Sequence, residues 1–208
     1  MKLTGKELNE LASKIHSINI EKGFWNKGQI SCFDKQIKLL VVSELFECLE
    51  AHRDGKTVDD YELYGVNELL VNYINFPNDF ATKANFVSNF EIHVKDTIED
   101  EIADTMIRLL DYADFLKVDF EDLKTEKIIS NRYFSGDFII DIDSLIDSSL
   151  FLLDKMRFEL DYKNFDAILI CYQNIVAFAA AHLIDLQMNV KLKIAYNRTR
   201  DKMHGKKY

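Results

Sequence analysis

The run from Asp96 to Leu116, DTIEDEIADTMIRLLDYADFL, decides how the rest of the chain reads. It holds neither glycine nor proline, and its apolar residues recur at spacings of three and four. That is the period of a helix with a face turned to a core. The same segment is rich in acids. Glu101 and Asp104 form an ExxD pair, and residues three apart on a helix share a side. Glu101 falls at the edge of the apolar arc, beside Thr105 and Tyr112, with Asp104 further round. A wall facing a polar cleft is built this way.

A matching pair lies upstream, where residues 43–47 read SELFE and give the ExxE pair Glu44 and Glu47. The pattern predicts a helix from about Asp34 to His52, stopped by the turn signal Asp54-Gly55. A lone ExxE is usually a solvated face, so its place on the helix decides. At about 100° per residue, Glu44 lies within the arc of Ile37, Leu40, Val41 and Cys48, and Glu47 about 20° from Leu40. Both glutamates are therefore expected to point toward packing partners. Packed antiparallel, the two helices would gather Glu44, Glu47, Glu101 and Asp104 at one spot. Burying bare carboxylates costs several kcal/mol each, roughly. Arg108, one turn after Asp104, can pair with one of them and cannot neutralise four. Hard oxygen ligands clustered this way suit Mg2+, or Mn2+. Glu50, Glu99 and Asp100 are neighbours of this set, with Glu50 the first candidate for an extra ligand.

The remaining composition agrees with a helical chain. Of 208 residues, 7 are glycine and 1 is proline, too few turn-makers for an all-β sandwich of this size. The formal net charge of −9 disfavours a nucleic-acid partner held through phosphates. Cys32, Cys48 and Cys171 lack CxxC spacing and read as reduced thiols, which points to a cytoplasmic location. No secretory signal precedes Leu8. The most apolar stretch, Phe165 to Leu186, carries Asp166, Gln173, Asn174, His182 and Asp185, so it is expected to be a buried helix and not a membrane span.

Further helices are expected from Thr4, a cap with Glu7 in the capping-box position, to about Ile20. Others are expected over Ser144–Leu160, Asn164–Gln187 and Val190–Met203. Residues 56–95 read as an inserted segment of short helical pieces, a lid or an assembly surface. Phe138 to Ile142 has the look of a short strand, and the tail from His204 that of a mobile end. Lys127-Ile128-Ile129-Ser130-Asn131-Arg132 echoes Lys193-Ile194-Ala195-Tyr196-Asn197-Arg198. Either two helix ends are alike by chance, or residues of about 120–190 are a degenerate second copy of a helical unit. In both cases the expectation is a single all-α domain over residues 1–208.

The ExxE and ExxD pairs, in this order, resemble the signature of the MazG-like all-α nucleoside triphosphate pyrophosphohydrolases, a superfamily that includes the dimeric dUTPases. Two further pieces are similar. Asn19-Ile20-Glu21-Lys22-Gly23-Phe24-Trp25 resembles the lead into the acidic helix, and Lys193 to Arg200 resembles the KxxxNxxR that follows it. The resemblance implies a helical bundle in which Glu44, Glu47, Glu101 and Asp104 hold Mg2+ against the triphosphate of a (deoxy)nucleotide. Water attacks the α-phosphorus, and nucleoside monophosphate and pyrophosphate leave. It also implies that Lys193, Tyr196, Asn197 and Arg200 line the substrate, with Lys193 and Arg200 on phosphate oxygens. Glu44 or Glu47 would serve as general base. The long stretches between the motifs depart from the compact pattern and leave a homodimer open, or a chain that supplies both halves itself.

Trp25 offers a stacking surface for a nucleobase, or else Phe24-Trp25 staples its loop to the core. Asn19 would bond a base or sugar, or cap the first helix. No histidine is followed by aspartate, which weakens a helical HD-type phosphohydrolase, and no phosphate loop of the GxxxxGK[ST] kind is present. The alternative to an enzyme is a non-catalytic helical module, kept for binding or assembly.

Overall fold

The computed structural model describes residues 3–25, 30–121, 145–147 and 163–201. The described residues are helical, with no strand among them. The helices are α1 (Gly5–Glu21), α2 (Ile30–Arg53), α3 (Asp60–Asn75), α4 (Phe80–Asn89), α5 (Ile98–Phe115), α6 (Lys163–Ala181) and α7 (Leu186–Thr199); a π-helical turn, Phe90–Val94, follows α4. The expected strand near Phe138, the echo at 127–132, most of the Ser144–Leu160 helix and the tail from His204 fall outside the described residues.

α1 begins where its cap predicts. Thr4 Oγ1 accepts from the Glu7 N–H, and Glu7 accepts in return from the Thr4 N–H at 2.7 Å. α2 starts a turn earlier than Asp34, at Ile30. α5 is capped by Thr97, which places Glu99, Asp100 and Glu101 in its first turn, where the helix's positive end favours carboxylates.

The expected helix over Asn164–Gln187 is in fact broken. α6 ends at Ala181, Leu183 takes a left-handed φ of 59°, and the Ile184 N–H reaches back to the Ala179 carbonyl at 2.8 Å. This is the closing bond of a Schellman turn, made without the usual glycine. Asp185 then caps α7 by accepting from the Met188 N–H, so α7 begins four residues before Val190.

α5 is the central rod. It packs against α1, α2, α6 and α7, and is buried on nearly every side. α6 lays Ile168, Cys171, Ile175 and Phe178 into the same core, as its spacing predicts. Residues 56–95 form two substantial helices, α3 and α4, in place of short pieces. Leu63, Val66, Leu70, Phe86 and Phe90 of this segment make a second apolar cluster, completed by Leu192 and Tyr196. α7 thus belongs to both clusters, since Val190 and Ile194 face the first. Between the two faces sits Lys193. Two contacts set α5 against α2: the Lys38 ammonium lies 5.7 Å from the Tyr112 ring centre, and Arg108 pairs with Glu44; just beyond the end of α2, the Lys56 carbonyl accepts from the Ile98 N–H at 2.9 Å. No single described helix is long and apolar enough to cross a membrane.

Candidate metal centre

Three helices build the site. α2 supplies Glu44, α5 supplies Asp100, Glu101, Asp104 and Arg108, and α7 supplies Lys193. One carboxylate oxygen each from Glu44, Glu101 and Asp104 lies within 4.8 Å of the others. Asp96, Asp100 and Glu101 form a second such group that shares Glu101.

Lys95 pairs with Asp96 at 2.8 Å, and Arg108 and Lys193 reach the more buried acids. Arg108 Nε donates to Glu44 Oε1 at 3.3 Å. Lys193 Nζ lies 2.7 Å from Asp100 and 2.9 Å from Asp104, with only 6% of its side chain exposed. Glu99 is buried too, and accepts from the Val58 N–H at 3.1 Å. Glu101 is left over. It is 6% exposed, and its Oε2 is buried with no hydrogen-bond partner. An orphaned buried oxygen beside other carboxylates is costly unless something else binds it.

The electrostatics follow. Burial, then the charges of Asp100, Asp104 and Glu47, push the Glu101 carboxyl up to about 8, against the pull of Lys193. Burial and Asp104 raise Glu44 to about 7, with Arg108 opposing. Asp100 rises to about 6 by burial, Lys193 holding it back and Asp104 adding to the rise. Burial works against the Lys193 ammonium, yet Asp104 and Asp100 together hold its pKa above the usual lysine value. Burial, with Glu101 and Glu99 nearby, pushes the Cys48 thiol up to about 12. Negative charge is in excess here, and the donor set is hard oxygen. Both features fit a divalent ion of the Mg2+ or Mn2+ kind.

Of the four acids expected to converge, Glu44, Glu101 and Asp104 do so. Glu47 is exposed, which corrects the expectation that it faces a packing partner. The reason is its reference point: Leu40 is itself 41% exposed, so that side of the apolar arc is surface. Glu47 stays near enough for its charge to raise both Glu44 and Glu101. Glu50 is exposed as well, and Asp100, placed among the outlying neighbours, is 1% exposed and holds Lys193.

The KxxxNxxR residues divide. Lys193 is in the site. Tyr196 is 4% exposed, its hydroxyl donates to Glu91 at 2.9 Å, and its ring stacks on Phe90, so it braces α7 against the π-helical turn. Asn197 has a buried Oδ1 without a partner. The Arg200 guanidinium lies 5.8 Å from the Tyr196 ring centre.

Trp25 and Asn19 converge elsewhere, on Asp111. Trp25 Nε1 donates to it at 3.1 Å, Asn19 Nδ2 at 2.6 Å, and His16 Nδ1 lies 2.6 Å from it. The indole stacks on Phe115 at 4.6 Å. The contacts of Trp25 are thus those of a staple. Asp111 was absent from the sequence expectations, although it stands two turns from Asp104 on the same face of α5. Compared with protein-family models, with curated proteins and with solved structures, the chain finds no match.

Proposed function

We propose that this protein is a metal-dependent nucleoside triphosphate pyrophosphohydrolase, cleaving its substrate to nucleoside monophosphate and pyrophosphate. The observation that carries the reading is the convergence of Glu44, Glu101 and Asp104, with Glu101 Oε2 buried and unpartnered. The contacts Lys38–Tyr112 and Glu44–Arg108 run in opposite directions along α2 and α5, and Lys56, just past α2, meets Ile98 at the start of α5, which supports antiparallel pairing of the ExxE and ExxD helices.

Glu44, Glu101 and Asp104 would hold the ion, with the exposed Glu47 beside them. A divalent ion held there would supply neutralisation of phosphate charge and polarisation of the phosphorus–oxygen bonds. Lys193 and Arg200 meet phosphate oxygens. Water attacks the α-phosphorus, its proton passes to Glu44 or Glu47, and the bond to the pyrophosphate oxygen breaks. Arg108 limits the swing of Glu44 by holding Oε1.

The test is pyrophosphate release from a panel of ribo- and deoxyribonucleoside triphosphates with Mg2+. At least one is expected to turn over, and Asp104→Asn to lower release about a hundredfold or more while helicity is kept. Wild-type turnover in Asp104→Asn refutes the assignment. Mg2+ binding without release from any triphosphate favours the non-catalytic module.

A further inference from the structure

Lys193 is placed oddly for a group that only waits for substrate. It is a long cation on the seam between two apolar clusters, almost wholly buried, and it is already shared between Asp100 and Asp104. Asp104 is also one of the three acids whose oxygens converge with Glu101. The same carboxylate therefore faces two prospective cations, one of them covalently part of the chain. Asp100 is different. It is 1% exposed, and it also accepts from the Asp96 N–H at 3.1 Å. It is the fixed anchor of the lysine, whereas Asp104 is partly open, with 18% of its side chain exposed.

We propose that Lys193 is a resident counter-ion that competes with the divalent metal for Asp104, and that metal loading frees its ammonium from Asp104 to meet an anionic ligand while Asp100 keeps its own bond to that ammonium. The inference rests on the metal reading above and adds a positioning role to it. Loading and phosphate binding then become coupled, because the cation displaced from Asp104 is the one an incoming phosphate needs. Removing the lysine charge should strengthen the binding of a bare metal and weaken that of a phosphate anion. A merely structural lysine would weaken both.

The experiment titrates Mg2+, and separately Mn2+, into the full chain without nucleotide, by calorimetry. Lys193→Met is expected to bind either ion at least about fivefold more tightly than wild type, since a like charge has been taken from the site. Lys193→Arg restores the charge and is expected to return the affinity toward wild type. With metal saturating, inorganic pyrophosphate is expected to bind Lys193→Met about tenfold more weakly. Equal or weaker metal binding by Lys193→Met overturns the proposal and leaves the metal site standing, as does unchanged pyrophosphate affinity. A wild-type chain that binds neither ion at millimolar concentration removes the site itself, and the proposal with it. Should Lys193→Met fail to fold, the wild-type chain answers through its lysine ammonium resonances. The Lys193 signal, assigned by its loss in Lys193→Arg, is expected to move on Mg2+ saturation; a signal that stays still overturns the proposal.

Discussion

Two carboxylates on the central helix α5 are buried to nearly the same degree and have opposite fates. Asp111, 4% exposed, is met by His16, Asn19 and Trp25, so each of its oxygens has a donor. Glu101, 6% exposed, keeps one oxygen buried and unpartnered, with other acids around it. Burial alone therefore does not distinguish a ligand from a strut. The difference lies in what the rest of the chain supplies. α1 and its following loop close the account at Asp111, whereas Arg108 of α5 itself pairs with Glu44, Lys193 of α7 pairs with Asp100 and Asp104, and neither lies within ion-pair distance of Glu101. The C-terminal end of α5 is finished by folding, whereas its N-terminal end keeps a buried carboxylate oxygen without a hydrogen-bond partner.

The sharpest way to break this contrast is to remove each carboxylate in turn. Asp111→Ala strands three donors and is expected to cost about 3 kcal/mol in urea unfolding, with no recovery on adding Mg2+. Glu101→Gln is expected to leave the metal-free fold as stable as wild type or more so, yet to abolish Mg2+ binding. Equal destabilisation by both substitutions would erase the distinction.

A smaller effect comes with pH. In the folded chain Glu101 and Glu44 keep their protons up to about 8 and 7, above the ordinary 4.5 of an unfolded glutamate. Between those limits the fold binds more protons than the unfolded chain, so stability is full below about 4.5 and falls as pH rises through 7 and 8. Melting temperatures without metal should therefore be higher at about pH 5 than at about pH 8.5. Mg2+ should flatten that slope, and so should Glu101→Gln. A profile rising with pH would contradict the excess of charge. The smallest expected change is Trp25→Phe, which removes one donor from Asp111 and should cost about 1 kcal/mol. Its Mg2+ affinity should match wild type in the same titration; a drop would mean the two ends of α5 are not independent.

What could be read from the sequence was local. The Thr4–Glu7 box and the two acidic pairs each lie within one helical turn, where spacing dictates geometry. The all-helical character followed from the same periodicity and from the scarcity of turn residues. The break after Ala181 was hidden because its left-handed residue is Leu183, not glycine, although Asp185 was there as a capping signal. Glu47 was misplaced because a wheel records which residues are apolar and not which of those remain at the surface. The partners of Lys193 and Asp111 were out of reach for another reason. Those bonds join residues about ninety apart in sequence, and only the packing of α1 and α7 on α5 creates them.

The hydrogen bond from the Ile98 N–H to the Lys56 carbonyl also bears on how such a chain can be rearranged. The forty-odd residues between those points leave and return at a single gateway. A short splice across it would close almost without strain, and the two acidic rods would remain tethered side by side. The seam that would need repair is on α7, where Leu192 and Tyr196 would lose their cover. For a redesigner, the detour is fastened in two places, at this gateway and along α7, where Tyr196 bonds Glu91 and stacks on Phe90.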